Sequence, residues 1–464
     1  MNNVKHQAIK FDPVMLKKYD TFGPRYTSYP TAIQFSPEFT RQDYGDEVRQ
    51  SNDNRAPLSL YFHIPFCESL CFYCACNKII THTFDRAIPY LERLHREVAM
   101  QAALVSRDRP VNQLHFGGGT PTFLSDEQLH QLMQVTAEHF TLAPLEKREF
   151  SIEIDPRAVR DGTVAMLREF GFNRVSFGVQ DFDPKVQQAV NRLQSIEQTQ
   201  AVVDAARRSG YRSVNMDLIY GLPHQTVDSF NRTLDTIIAM RPERLAVYNY
   251  AHLPQRVKAQ RLIKEKDLPD AVTKLGLLEL TINRLQEAGY VYIGMDHFAL
   301  PEDELVVARE QGTLQRNFQG YSTHADTDMI GMGITSIGKI NNCYSQNVRY
   351  EKSYFEEIDN GRLAVFQGYR LSDDDRLRRA VIQALMCQGE VVFATIEQRY
   401  GIDFDRYFAD ELQRLAPLQE DGLVTLEEQR IDVKPFGRLL LRNIAMVFDA
   451  YQQPQGQKHF SRVI

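Results

Sequence analysis

Six short apolar segments alternate with segments of helical periodicity between residues 59 and 250, and this alternation most constrains the fold. The apolar segments are 59–66, 113–116, 149–154, 174–179, 213–220 and 244–250. The clearest helical segments between them are 126–140, 162–170, 197–209 and 226–240. A succession of β–α units implies a parallel sheet with helices outside it. We therefore predict an α/β protein built on a partial, TIM-like (β/α)6 barrel, with its active site at the C-terminal ends of the strands.

Two further regions flank this barrel, which we place at residues 53–350. Residues 1–52 form a predicted N-terminal arm, whose segment 23–30 is too polar and too interrupted by proline to form a core element. Residues 351–464 form a predicted C-terminal helical cap, in which a hairpin pattern follows helical segments from residue 371 onward. This order resembles a winged helix. However, the 12 basic and 15 acidic residues after residue 370 give this region a negative net charge. A negative charge disfavours contacts with phosphates, so we do not expect a DNA-binding domain.

Four of the six cysteines fall within ten residues, namely Cys67, Cys71, Cys74 and Cys76. In a chain without an export signal, such a group indicates metal ligation or redox chemistry before disulfides. Structural zinc usually takes two short-spaced pairs far apart in sequence. Three thiolates spaced as C-x3-C-x2-C can instead hold three irons of a [4Fe–4S] cluster and leave the fourth iron open. Zinc and a redox disulfide remain the alternatives. Cys76 is either a spare thiol near the cluster, which we favour, or an alternate ligand.

The C-x3-C-x2-C spacing is the signature of the radical S-adenosylmethionine enzymes, and this sequence resembles that superfamily. A longer set of motifs resembles the oxygen-independent coproporphyrinogen III oxidase family, also called coproporphyrinogen III dehydrogenases. These motifs cover nearly the whole chain and lie at 23–32, 61–67, 115–122, 178–182, 217–223, 249–254, 294–299, 317–321 and 460–464. The sister family of haem chaperones lacks the N-terminal arm and carries a tryptophan motif, whereas this chain has no tryptophan.

The resemblance implies specific roles for residues at the predicted strand ends. Cys67, Cys71 and Cys74 match the ligands of the [4Fe–4S] cluster. Contacts to a cluster-bound S-adenosylmethionine are matched by Tyr61, Tyr73, Gly118, Glu153 and Ile337, of which Tyr73 departs from the phenylalanine expected there. A pocket for a second S-adenosylmethionine is matched by Gly119, Thr120, Gln180, Arg192, Asp217 and Ala251.

The same resemblance implies the reaction. A 5′-deoxyadenosyl radical would remove a hydrogen atom from two propionates of coproporphyrinogen III in turn, and loss of CO2 and an electron would leave the vinyl groups of protoporphyrinogen IX. An external electron donor and an electron acceptor are therefore expected. Arg25 is a candidate propionate anchor, and a solvated surface arginine is its alternative reading. The alternative function is a non-catalytic haem carrier.

Composition excludes several classes of protein and partner. The net charge of −6, from 54 basic and 60 acidic residues, does not favour nucleic acid. No stretch approaches the length of about 18 apolar residues that crosses a bilayer. The N-terminus has no apolar core typical of a secretory signal. We therefore expect a cytoplasmic protein that does not insert into membranes. We also expect a monomer, although none of these observations bears on self-association.

Overall fold

The computed structural model describes residue 9 and residues 11–324 and 327–452, so the motif at 460–464 lies outside the described residues. The helices, in chain order, are α1 (Pro13–Tyr19), α2 (Arg41–Ser51), α3 (Ile88–Ala102), α4 (Asp126–His139), α5 (Thr163–Glu169), α6 (Pro184–Ala189), α7 (Ile196–Arg208), α8 (Val227–Met240), α9 (Ala271–Glu287), α10 (Glu304–Glu310), α11 (Glu351–Asp359), α12 (Asp373–Cys387), α13 (Phe393–Tyr400), α14 (Phe404–Tyr407), α15 (Ala409–Glu420) and α16 (Leu441–Met446).

The strands, in chain order, are β1 (Leu58–Ile64), β2 (Phe66–Cys67), β3 (Ile79–Ile80), β4 (Val111–Gly118), β5 (Glu149–Ile154), β6 (Arg174–Gln180), β7 (Ser213–Tyr220), β8 (Arg244–Asn249), β9 (Val291–Gly294), β10 (His297–Ala299), β11 (Gln315–Asn317), β12 (Gly320–Ser322), β13 (Asp328–Met332), β14 (Ile337–Ile340), β15 (Cys343–Asn347), β16 (Val365–Arg370), β17 (Glu390–Val392), β18 (Val424–Glu427) and β19 (Arg430–Val433).

One compact unit contains residues 35–269 and 327–370 and is built on a large sheet. Within this unit the strand order is β16-β15-β14-β13-β1-β4-β5-β6-β7-β8. Strands β13, β1 and β4 to β8 pair in parallel, whereas β14, β15 and β16 extend the sheet in antiparallel fashion. The α/β fold and all six predicted strands are confirmed. The parallel strand β13 was not predicted, because a five-residue run buried along its whole length has no alternation to reveal it.

The predicted helices between these strands are also confirmed, with ends that differ by one residue. Capping boxes begin three of them, with Ser125 before α4, Ser195 before α7 and Thr226 before α8. In each box the side-chain hydroxyl accepts a hydrogen bond from the backbone N–H three residues later, which satisfies a donor that the helix leaves unpaired. Local sequence therefore determines where these helices start.

The other compact unit contains the described residues of 1–34, 270–324 and 371–452. After residue 371 it has the predicted order of helices, a β18–β19 hairpin and a last helix, α16. The expectation that segment 23–30 is too polar for a core was wrong. Tyr26 and Tyr29 are each 1% exposed, and the Tyr26 hydroxyl donates to the Asp449 carboxylate at 2.9 Å. A tyrosine can be buried when its hydroxyl finds such a partner.

The unit with the large sheet ends at residue 370, whereas the barrel was predicted to end at residue 350. Helix α11 and strand β16 belong to the unit with the large sheet, because β16 pairs with β15 from Asn347↔Val365 to Cys343↔Arg370. The division into arm, barrel and cap remains a prediction. Among the described residues, none of the helices combines the length and apolar character needed to cross a bilayer.

Candidate active site

The cysteine loop follows β1 directly and is fastened to the glycine loop that follows β4. The Gly119 amide donates to the Ile64 carbonyl at 2.8 Å, and the Thr120 amide donates to the Phe66 carbonyl at 2.7 Å. Strands β1 and β4 are parallel neighbours, so their C-terminal ends reach the same edge of the sheet. The sheet therefore brings the predicted cluster ligands and the triple glycine together.

The three predicted ligand thiols have different surroundings. The Thr120 hydroxyl donates to the Cys67 sulfur at 3.5 Å, and burial raises the pKa of that thiol to about 11. The Cys71 sulfur is buried and accepts from two arginines. A hydrogen bond from Cys76 lowers the pKa of Cys74 to about 6. Cys76 is exposed and its side chain contacts Cys74. This position is compatible with the prediction that Cys76 is a spare thiol near the cluster.

Backbone at Gly118 and Gly119 approaches other atoms more closely than a side chain would allow. A Cβ on Gly119 would lie 2.6 Å from the Phe66 carbonyl oxygen, which is backbone and cannot move aside. Gly118 has a φ of +114°, a conformation that favours glycine, and a Cβ there would lie 2.8 Å from the His63 ring. The glycines are therefore required for the loop to lie against the cysteine segment.

A polar cluster joins the ends of β1, β4 and β5. The rings of Tyr61 and His115 stack with centroids 5.8 Å apart, and His115 Nε2 lies 3.2 Å from Glu153 Oε1. The Gly118 amide donates to Glu153 Oε2 at 3.3 Å. Partial burial opposes ionisation of Glu153, but His115 and the Gly118 amide together hold the pKa of this carboxyl below its usual value. Glu153 is therefore a carboxylate beside Tyr61 and Gly118.

His63 supports the hydroxyl of Tyr61. Its Nε2 lies 2.9 Å from the Asn77 carbonyl oxygen and its Nδ1 lies 3.1 Å from the Tyr61 hydroxyl oxygen. Burial lowers the pKa of His63, so the ring is neutral at pH 7. A carbonyl can only accept, so Nε2 carries the proton and Nδ1 accepts from Tyr61.

Gln180 and Arg192 meet around Gly178 on β6. A Cβ on Gly178 would lie 2.9 Å from Gln180 Nε2 and 3.0 Å from Arg192 Nη2. Arg192 donates to the Gly178 carbonyl at 2.5 Å and to Asp155 Oδ2 at 3.0 Å. Its guanidinium is therefore held in place within this cluster, and Gln180 adopts a φ of +71° beside it.

Asp217 lies on the next strand, β7, and is held by two polar neighbours. Ser176 Oγ donates to Asp217 Oδ2 at 3.0 Å, and Asn215 Nδ2 donates to Oδ1 at 2.9 Å. Burial, followed by the negative charge of Glu153, raises the pKa of Asp217 to about 6. The carboxyl is therefore close to its titration range at neutral pH.

The remaining predicted residues lie at the start of β14 and on two loops. Ile337 begins β14, and its carbonyl oxygen would lie 2.7 Å from a Cβ on Gly331, which is the register partner of Tyr61. Tyr73 and Ala251 are tied by one side chain, because Gln260 Nε2 donates to the Tyr73 carbonyl at 2.9 Å and to the Ala251 carbonyl at 3.1 Å. All predicted cluster and S-adenosylmethionine residues therefore belong to the unit with the large sheet.

Several side chains of this network were not among the predicted site residues. They are His63, His115, Asp155, Arg157 and Gln260. The period of two along a strand could have indicated some of them. His115 precedes Gly117 by two positions, and Asp155 follows Glu153 by two. Gln260 gives no such signal, because it lies in a short 3-10 helix (Lys258–Leu262) whose position depends on the tertiary structure.

Asp217 provides a test by pH. Its carboxyl binds a proton more tightly in the folded protein than in the unfolded chain. The contribution of Asp217 to the free energy of unfolding therefore falls as the pH rises from about 4 to about 6, and does not change further above that pH. Asp217→Asn has no carboxyl to titrate at this position, so we expect it to remove this loss. Above pH 6 the free energy of unfolding of the variant should then exceed that of the wild type by up to about 3 kcal/mol. Urea unfolding of cluster-free protein across this pH range measures the difference. Asp161 is exposed, so Asp161→Asn is the control. Equal pH profiles of stability for the two variants would contradict the raised pKa of Asp217.

The donor set fits an anionic iron–sulfur cluster. Three thiols lie on one loop, and N–H or O–H donors point at the sulfurs of Cys67 and Cys71. Hydrogen bonds to sulfur are a normal feature of such sites. Within residue 9 and residues 11–324 and 327–452, no three His, Cys, Asp or Glu side chains converge as they would on a single metal ion. Thiolates that bind different irons of a cube need no such convergence.

Comparison with known proteins agrees with this geometry. The family model described as the radical SAM superfamily matches residues 61–237, and the one described as the HemN C-terminal domain matches residues 371–440. The chain is 52% identical to an oxygen-independent coproporphyrinogen III oxidase of Pseudomonas aeruginosa, over 98% of this chain and 99% of that protein. It is 47% identical to that of Escherichia coli, over 99% of both.

A solved structure extends the agreement to the fold. Coproporphyrinogen III oxidase (HemN) from Escherichia coli, described as a radical SAM enzyme, matches with a TM-score of 0.91 and 46% identity. The match covers 96% of this chain and 100% of that one. With the cysteine loop, the glycine loop and the relatives all in agreement, the chain belongs to the oxygen-independent coproporphyrinogen III oxidase family of radical SAM enzymes.

Proposed function

We propose that this protein converts coproporphyrinogen III to protoporphyrinogen IX without oxygen, by oxidative decarboxylation of two propionate side chains to vinyl groups. The single observation that carries this proposal is a three-cysteine loop fastened to the Gly118–Glu153–Tyr61 cluster, in a chain that matches the Pseudomonas aeruginosa enzyme over nearly its whole length. The proposed cofactors are a [4Fe–4S] cluster and S-adenosylmethionine.

Cys67, Cys71 and Cys74 would hold the cluster. When bound and reduced, the cluster with S-adenosylmethionine supplies a 5′-deoxyadenosyl radical, which removes a hydrogen atom from a substrate carbon. No protein base is then needed at that carbon, since a hydrogen atom and not a proton is removed. The chain's own task is to bind, orient and exclude water and oxygen.

The Glu153 cluster supports the first S-adenosylmethionine site. A carboxylate beside the Gly118 amide suits an ammonium or ribose hydroxyl group, and His115 keeps that carboxylate ionised. Tyr61, Tyr73 and Ile337 would complete this site. The positions of Tyr61 and Ile337 are supported by the Tyr61–Gly331 register and the closeness of Gly331 to Ile337.

A second S-adenosylmethionine site remains a proposal for residues on the following strands. Arg192 offers a planar guanidinium for a carboxylate, and Asp217 offers an acceptor for a hydroxyl group. Gln180 lies beside Arg192 at Gly178, which supports a shared pocket. Gly119, Thr120 and Ala251 complete the proposed set.

The substrate and partners are proposed on chemical grounds. Coproporphyrinogen III carries four propionates, so cationic side chains must meet it, and Arg25 is our candidate. Arg25 Nη1 donates to Asp296 Oδ2 at 2.7 Å, which holds the guanidinium in one direction. The reaction also needs an external electron donor and an electron acceptor. We further propose a monomer in the reducing cytoplasm, where clustered free thiols persist.

An anaerobic assay tests the function. Protein reconstituted with iron and sulfide would be mixed with S-adenosylmethionine, coproporphyrinogen III, dithionite as the electron donor and a soluble electron acceptor. We expect vinyl-bearing protoporphyrinogen and 5′-deoxyadenosine, detected by chromatography and mass spectrometry. Omission of S-adenosylmethionine is the control. Tight haem binding with neither product would identify a carrier and overturn the proposal.

A further inference from the structure

The three predicted ligand sulfurs differ in the charge of their hydrogen-bond donors. Cys67 receives a neutral hydroxyl group from Thr120. Cys71 receives two guanidinium groups, with Arg157 Nη2 at 3.5 Å and Arg192 Nη1 at 3.6 Å from its sulfur. Both guanidinium groups are therefore at Cys71, whereas the Lys78 ammonium lies beside Cys74, whose carbonyl accepts from it at 2.8 Å.

One carboxylate holds both guanidinium groups in place. Arg157 donates to Asp155 through Nε at 3.0 Å and through Nη2 at 2.7 Å, and Arg192 Nη1 donates to it at 3.0 Å. The side chains of Asp155 and Arg192 are 12% and 7% exposed, and that of Arg157 is 20% exposed. Two cations and one anion leave a net charge of +1 beside Cys71, where little water is present to screen it.

We propose that Arg157 raises the reduction potential of the cluster that Cys71 ligates, and that Asp155 sets the size of this effect. The inference rests on the proposed cluster ligation. One-electron reduction adds a negative charge to a cluster that is already anionic, and N–H donors and cations near sulfur stabilise the reduced form. Arg192 shares this role but is also proposed to bind S-adenosylmethionine, so Arg157 is the cleaner probe.

The test measures the midpoint potential of the reconstituted cluster by a redox titration followed by electron paramagnetic resonance, without S-adenosylmethionine. Arg157→Gln leaves a neutral Asp155–Arg192 pair, and we expect a tenfold smaller equilibrium constant for reduction, equivalent to a shift of about −59 mV. Asp155→Asn leaves two cations without their anion, and we expect a shift of the opposite sign. The control Arg168→Gln removes the same charge from a side chain that donates to the Gly210 carbonyl.

Each outcome decides the proposal. Opposite shifts for Arg157→Gln and Asp155→Asn, with Arg168→Gln close to wild type, support it. Equal potentials for Arg157→Gln and Arg168→Gln overturn it. If Arg157→Gln assembles no cluster, the direction of the Asp155→Asn shift decides. A wild-type protein without a [4Fe–4S] signal would instead overturn the proposed function, so the two failures are distinguishable.

Discussion

Replacing Cys67, Cys71 or Cys74 by serine, one at a time, is expected to abolish cluster assembly and to reduce product formation to background. A serine hydroxyl is a poor ligand for the irons of such a cluster, whose ligands are cysteine thiolates. Anaerobic reconstitution of each variant, followed by iron and sulfide analysis and the assay for 5′-deoxyadenosine, measures both losses. Because serine is close to cysteine in size and all three thiols lie on one loop outside the large sheet, we expect each variant to keep the secondary structure of the wild type.

Cys76→Ser and Cys343→Ser are the matched controls. Cys76 lies two residues after Cys74 on the same loop, and Cys343 is fully buried on β15. Both variants are expected to bind the full complement of iron and sulfide. A Cys76 variant that loses the cluster while a Cys67, Cys71 or Cys74 variant retains it would contradict the assignment of ligands.

Arg109→Met is expected to lower the free energy of unfolding by about 3–5 kcal/mol, because it leaves a buried carboxylate without its cation. The Arg109 side chain is 1% exposed and donates to Asp328 Oδ2 at 2.5 Å, to Ser51 Oγ at 2.8 Å and to the Ala56 carbonyl at 2.8 Å. These bonds join the end of α2 to the starts of β1 and β13. Urea unfolding of cluster-free protein measures the effect.

Two further variants decide whether burial of the pair is the cause. Arg55→Met removes an arginine that is 79% exposed and lies 3.7 Å from Asp108, and we expect a change within about 0.5 kcal/mol. The double variant Arg109→Met/Asp328→Leu removes both buried charges and is expected to recover part of the loss. An Arg109 variant as stable as the Arg55 variant would show that the buried ion pair contributes little.

The strands and helices of the barrel could be predicted because their signals are local. Alternation with a period of two or 3.6 residues, and capping boxes such as that of Ser125, act over a few neighbouring positions. Strand β13 lacked such a signal, and its parallel pairing with β1 depends on residues about 270 positions earlier in the chain. The burial of Tyr26 was likewise invisible, because its partner Asp449 is 423 residues away.

The amino-acid sequence by itself determined the cysteine spacing, the triple glycine and the β–α alternation, and with them the class of cofactor and the edge of the sheet where it would bind. Only the tertiary structure decided which groups surround each sulfur. Arg157 and Arg192 lie 86 and 121 residues from Cys71, and parallel pairing of β1, β4, β5 and β6 brings their loops to one edge. Local periodicity carries no information about such distant pairs, because their approach depends on the sheet order and on the packing of whole elements.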